Sequence, residues 1–164
     1  MQLIEMPKVA LVALSVSLAL SLSACGSGKD AATRTVTQLT DGVDGAITTM
    51  GNQIKARSFL LVAQPDGSAV LVGTLVNGGE TQDALLAVAA NNAIATLSEK
   101  SIALTQGYPI IFSGSSANAS AVMSGLNAQP GTRAKLGMFF AIAGELTLDV
   151  IVRERSGIYS DVGP

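Results

Sequence analysis

The 164-residue sequence has no histidine, no tryptophan and one cysteine, and only 13% of its residues are charged, 10 basic against 12 acidic for a net charge of −2. Each shortage excludes something. Without His there is no imidazole general base, no Ser-His or Cys-His nucleophile pair, and no His ligand for zinc or copper. One cysteine forms no internal disulfide and supplies no multi-cysteine metal or iron–sulfur site. So few cations leave no electrostatic footprint for nucleic acid. The sequence therefore predicts no catalytic residue, no enzyme activity and no cofactor. What is plentiful is apolar: 48% of residues are hydrophobic, although only 4% are aromatic. The length suits one domain of ordinary size, able to bury roughly two thirds of its unfolded surface.

Residues 9–22, VALVALSVSLALSL, form an uncharged apolar run preceded by Lys8 and followed by Ser23, Ala24 and Cys25. This is the layout of a secretory signal peptide, although Glu5 leaves Lys8 and the α-amino group as the positive charges ahead of the run. The run is shorter than the roughly 17 residues that a transmembrane helix requires. Leu22-Ser23-Ala24-Cys25 resembles the bacterial lipobox, in which cleavage before the cysteine is coupled to attachment of a diacylglycerol to its sulfur. The plainer alternative is an ordinary secreted protein, or a tail-like membrane segment, with an incidental cysteine. The only thiol nevertheless sits at the one position where a lipid anchor uses it. Two or three acyl chains, at about 0.8 kcal/mol per buried methylene, hold a protein to a bilayer far more firmly than one myristoyl group. The expected organisation is a signal peptide over 1–24, a lipidated tether over 25–35, a β-sandwich domain over 36–155 and a C-terminal tail over 156–164. The expected location is the extracytoplasmic face of the cell membrane, with the bilayer itself as a partner through acylated Cys25.

Beyond a small, polar tether, short apolar runs alternate with turn signals. SFLLVA at 58–63 leads into Pro65-Asp66-Gly67, and AVLVGTLV at 69–76 into Asn77-Gly78-Gly79; these two runs predict a hairpin. Further runs at 85–89, 93–97, 102–104, 109–112, 121–123, 134–143 and 146–152 are separated by Gly, Asn, Ser or Pro. So many short strands predict an all-β fold, an antiparallel β-sandwich. From Thr147 to Arg153 polar and apolar residues alternate, placing Leu148, Val150 and Val152 on one face while Ile151 interrupts the other. Residues 138–142, MFFAI, are apolar on both faces, as a central strand is. Residues 84–97 are rich enough in Ala and Leu for a helix, but Asn91 and Asn92 in their middle favour a turn.

Asn77, Asp83 and Leu85 begin a series that continues through Ile102-Ala103-Leu104 before Gly107, Met123-Ser124-Gly125-Leu126, Pro130-Gly131, and residues 139–144 followed by a valine-rich last strand. In order and spacing this resembles the periplasmic copper chaperone domain PCuAC, and more closely its actinobacterial surface-lipoprotein relatives, from about Val76 to Glu154. The resemblance implies a cupredoxin-like or immunoglobulin-like sandwich. It also implies copper held by two His and two Met, one pair being an H-x-M just before the Gly-Leu matched by Gly125-Leu126. Those two positions here are Ser120 and Val122, and the window for the other pair, around 92–104, contains neither His nor Met. Imidazole and thioether ligands suit Cu(I); a hydroxyl and an aliphatic chain do not replace them. The expectation is the fold without its metal chemistry.

The remaining motifs are weaker. Met50, Met123 and Met138 follow the leader, and core packing is their ordinary use, a thioether-only copper site the unusual one. Asp41-Gly42-Val43-Asp44-Gly45 sets two carboxylates beside two glycines but lacks the EF-hand ligand spacing, and reads as a pair of turns. Ser113-Gly114-Ser115-Ser116 has neither G-x-S-x-G nor S-x-x-K around it, so nothing activates a hydroxyl. It opens a loop whose Ser115, Ser116, Asn118 and Ser120, with Met123 just beyond, form a candidate ligand loop. Gly26-x-Gly28-Lys29 is a tether fragment, since no strand precedes it and no helix-opening Gly-Lys-Ser/Thr follows. Three functions fit: a non-catalytic binding or assembly module of the cell envelope, meeting an envelope protein or small ligand; copper handling with replaced ligands; and carriage of an apolar envelope molecule, which requires a continuous apolar cavity of about 300 Å³ or more.

Overall fold

Gly, Asn and Pro cut the chain into segments too short for helices, and the β-branched and aliphatic residues between them pair as strands. The computed structural model describes residues 41–48, 51–91 and 93–164, all within a compact unit that begins at Thr37. The signal peptide and tether expected over 1–35, Cys25 included, lie outside the described residues, as does Met50. The described residues form eleven strands: β1 Val43–Ile47, β2 Ile54–Ala63, β3 Ala69–Asn77, β4 Asp83–Ala90, β5 Ala93–Ile94, β6 Thr96–Leu97, β7 Ile102–Leu104, β8 Ile110–Ile111, β9 Ala121–Met123, β10 Arg133–Phe140 and β11 Glu145–Glu154. The Ala- and Leu-rich segment is strand, turn and strand, with Asn91 at φ 50° in the turn.

The hydrogen-bonded order is β5-β4-β10-β11-β2-β3-β9-β6, with β1 added to β2, β7 to β4 and β8 to β3. The expected hairpin is β2 and β3, antiparallel from Ile54↔Asn77 to Ala63↔Ala69. The fold is all-β, as expected, but it is not wholly antiparallel, because β11 serves two layers. Its first part runs antiparallel to β10, and its end, Val152 to Glu154, pairs parallel with Leu61 to Ala63 of β2. Ile151, the residue that breaks the alternation, packs against the outer face of β2 and β3 at this crossing. The opposite seam is closed by one short segment: Ala93 and Ile94 pair with β4, Thr96 and Leu97 pair with β9, and the Ala95 N–H donates to the Val88 carbonyl. The two layers thus close into a barrel-like sandwich.

Inside lie Phe59, Leu61, Leu71, Leu75, Leu85, Val88, Leu104, Leu136, Met138, Val150 and Val152, all buried. Met123 and Met138 are both fully buried there, in the packing role typical of Met. Phe59 meets Phe112 edge to face with ring centres 6.0 Å apart.

Residues 41–45 correct the sequence reading: Val43–Ile47 is a strand on β2, and no pair of turns forms there. The glycines provide clearance. A Cβ on Gly42 would collide with the Ser58 backbone, and one on Gly45 would collide with Leu148 Cδ2. Small residues beside a bulge and a crowded core look like turn residues in sequence, because Gly serves both needs.

A second, smaller cluster sits on the outer face of β2 and β3, where Leu60, Val62 and Val70 are buried with Val162 and partly covered by Tyr159. Residues 156–164 therefore pack against the sheet, entering through a single 3-10 turn, Gly157–Tyr159.

Candidate functional site

The side chains that carry the family resemblance hold loops. Asn77 is buried; its Nδ2 donates to the carbonyls of Thr81 (2.8 Å) and Leu104 (3.0 Å), and its Oδ1 accepts from the Gly79 N–H (2.9 Å). The buried Asp83 carboxylate accepts from the N–H groups of Ala84 (2.7 Å), Ile142 (2.9 Å) and Ala143 (2.8 Å), which fixes the tip between β10 and β11. Leu85 is wholly in the core. These residues specify architecture, so a chain can keep them and still change its chemistry.

The β6–β9 pairing brings together the two segments to which the resemblance assigns copper. Thr96 faces Val122 and Leu97 faces Ala121. One step further, the Ser98 N–H donates to the Ser120 carbonyl (3.0 Å) and the Ser120 N–H donates to Ser98 Oγ (3.2 Å). The side chains at this seam are hydroxyls and aliphatics, and Met123 is turned into the core. Among the described residues no group of three or more His, Cys, Asp or Glu is placed to hold a metal. This donor set does not fit Cu(I), which takes soft ligands.

The candidate ligand loop is not drawn together into one site. Ser115 and Ser116 are exposed at its tip. Asn118 serves the loop itself, accepting from the Ile111 N–H (2.8 Å) and donating to the Pro109 carbonyl (2.9 Å). Ser120 is half-buried at the seam, and Met123 is fully buried. The carboxylates of the Asp-Gly motif are committed to cations: Asp44 pairs with Arg57 (2.6 Å) and Asp41 with Arg153 (2.5 Å).

Among the described residues, three of the open grooves are these. One of about 330 Å³ lies beside the seam between Leu86, Ile94, Leu97, Glu99 and Lys100. Another of about 360 Å³ is lined by Gln64, Pro65, Asn127, Pro130, Glu154 and Arg155. The third, about 550 Å³, runs between Asp41, Pro130, Arg153, Ile158 and Tyr159. None of the three takes a residue from the loop 113–126, the place the sequence suggests for one.

Sequence reasoning misses the polar network under the C-terminal segment. Gln64 Nε2 donates to the Val162 carbonyl (3.2 Å), Arg155 Nε donates to the Ser160 carbonyl (3.0 Å), and Arg155 Nη1 donates to Gln64 Oε1 (3.3 Å). Tyr159 donates its hydroxyl to Asp41 Oδ2 (3.1 Å). Desolvation first, and the neighbouring Asp41 carboxylate second, push the Tyr159 hydroxyl above its ordinary pKa of 10.0. The signal available in the sequence is Tyr159 and, three residues on, Val162, in a tail whose other large apolar residue is Ile158.

No family model and no curated protein matches the chain. Solved structures do match it in fold. The apo PCuAC domain from PmoF1 is 21% identical with a TM-score of 0.52, over 62% of this chain and 93% of that one. The copper-bound PCuAC domain from PmoF2 is 23% identical with a TM-score of 0.53, over 62% and 92%. The apo PmoF2 domain is 21% identical with a TM-score of 0.52, over 63% and 92%. The likeness establishes a PCuAC-type fold.

Proposed function

We propose that this chain is a membrane-anchored extracytoplasmic lipoprotein whose PCuAC-like domain is a non-catalytic binding or assembly module of the cell envelope. The observation that carries the reading is the β6–β9 seam: the fold brings the two copper-bearing segments together, and this sequence fills them with Thr96, Ser98, Ser120 and Val122. A domain that keeps the loop-holding Asn77 and Asp83 while presenting no soft donor at that seam retains the scaffold's surface as its working part. The lipobox at 22–25 supports the anchor, and the absence of His supports the non-catalytic role.

Copper handling with replaced ligands is the second reading, favoured by the copper-bound neighbour in fold. A Cu(I) competition titration separates the two. No affinity tighter than micromolar is expected, and a tight, stoichiometric site overturns the binding-module reading. The anchor is tested by mass spectrometry of the mature N-terminus, where an acylated Cys25 is expected and an unmodified terminus at another residue refutes it. Cys25→Ala is expected to leave the domain folded and to block lipid attachment.

A further inference from the structure

The outer face of β2 and β3 is apolar, which is unusual for a sheet face turned away from the core. Leu60 pairs across to Val72 and Val62 to Val70, so all four side chains share that face. Leu60, Val62 and Val70 are buried there, and the chain's own C-terminal segment lies on them through Tyr159 and Val162. The contact is more than apolar cover. Two donors just past the strand ends reach the backbone of the segment: Gln64 Nε2, after β2, donates to the Val162 carbonyl, and Arg155 Nε, after β11 and directly before the segment, donates to the Ser160 carbonyl. Gln64 is itself buried and held by Arg155. Aromatic and aliphatic side chains in register with two carbonyl receivers are the elements by which a groove reads a short peptide. The segment enters through Gly157 at φ 57°, a conformation that lets the chain turn sharply where it meets the sheet. Its sides are open, since the grooves at Gln64, Pro130 and Arg155 and at Asp41, Arg153 and Tyr159 flank it.

We infer that the strip formed by Leu60, Val62, Val70, Gln64 and Arg155 is a peptide-docking site, and that residues 157–162 occupy it in cis as a stand-in for the partner. The partner is a peptide segment carrying an aromatic residue and, three positions on, a β-branched aliphatic one, as Tyr159 and Val162 are placed. The inference names a partner class for the binding-module reading and rests on that reading; it is independent of the anchor. The tail competes with the partner, so apparent affinity is reduced by the fraction of time the strip is covered.

The test uses the full chain in mild detergent and a fluorescein-labelled peptide with the sequence of residues 156–164, read by fluorescence anisotropy. Releasing the tail with Tyr159→Ala/Val162→Ala is expected to strengthen peptide binding by roughly tenfold or more. Adding Gln64→Ala and Arg155→Ala to the released protein is expected to remove that gain, with far-ultraviolet circular dichroism showing the strands intact. A peptide of the same composition with the Tyr and Val moved out of their spacing is expected not to bind. Equal binding by wild type and released protein, no binding by either, or equal binding of the rearranged peptide each overturns the inference. Concentration-dependent dimers of the wild type that tail release abolishes also overturn it, assigning the strip to a second copy. Failure in any of these ways leaves the copper titration and the N-terminal mass as separate tests of the binding-module reading.

Discussion

The ring of Phe59 fills the space that a side chain at Gly73 would need: a Cβ there would lie 2.8 Å from Phe59 Cδ1 and Cγ and 2.9 Å from Cδ2. Gly73 has φ 146°, and its carbonyl accepts from the Phe112 N–H (3.0 Å), so this one glycine seats both rings of the core's aromatic pair. Gly73→Ala combines overpacking, which costs about 1–3 kcal/mol, with backbone strain of about 1 kcal/mol or more. Urea unfolding is expected to show a loss of about 2–4 kcal/mol with an unchanged m-value.

Asp83→Asn is expected to destabilise the fold although the side chain keeps its size. Three N–H groups point at two carboxylate oxygens, and the amide turns one acceptor into a donor facing a donor. Leaving one such group unsatisfied costs about 1–3 kcal/mol. The loss is expected in urea unfolding, with faster amide exchange confined first to Ile142 and Ala143.

Tyr159 gives the docked tail a pH limit. Its folded pKa is raised above 10.0 by burial and by Asp41, so the neutral hydroxyl is the form the folded state favours. The stabilisation is fully present below the unfolded value near 10 and is lost as pH rises through the raised folded value. In a Tyr108→Phe variant, which leaves Tyr159 as the only tyrosine, tyrosinate absorbance is expected to titrate in one step above 10. A step at or below the ordinary value shows that the tail is not docked in solution.

Met123→Leu separates core from metal chemistry. Met123 is fully buried and pairs with Ala69, and a volume-conserving swap there costs less than about 1.5 kcal/mol. The variant is expected to fold and to show the same Cu(I) titration as the wild type. A loss of copper affinity on this substitution contradicts the packing role.

The strands are legible in the sequence because turn residues bound them, and β3, β4, β10 and β11 fall on the apolar runs within a residue or two at most ends. That Ser120 and Val122 stand at the two matched positions before Gly125-Leu126 is legible for a similar reason, as it needs only residue types. Partnerships between distant segments are not legible. Gly42 and Gly45 resemble turn glycines because sequence does not show Ser58 or Leu148 beside them. The parallel step of β11 shows only as Ile151 on the polar face, and the docked tail only as Tyr159 and Val162 in a short run that also holds Ile158.

The double engagement of β11 governs how the domain comes together during synthesis. As the chain is made from its N-terminus, the partners β1, β2 and β3 are available first, yet the Leu61 to Ala63 end of the β2 edge that β1 leaves uncovered stays open until Val152 arrives opposite Leu61, across a long stretch of sequence. The open side of β10 waits for the same strand. Such distant pairing makes folding slow, and an unpaired edge is a template for joining other chains. A polypeptide cut before Glu145 therefore lacks the strand that joins β10 to β2 and leaves both of those edges unfilled.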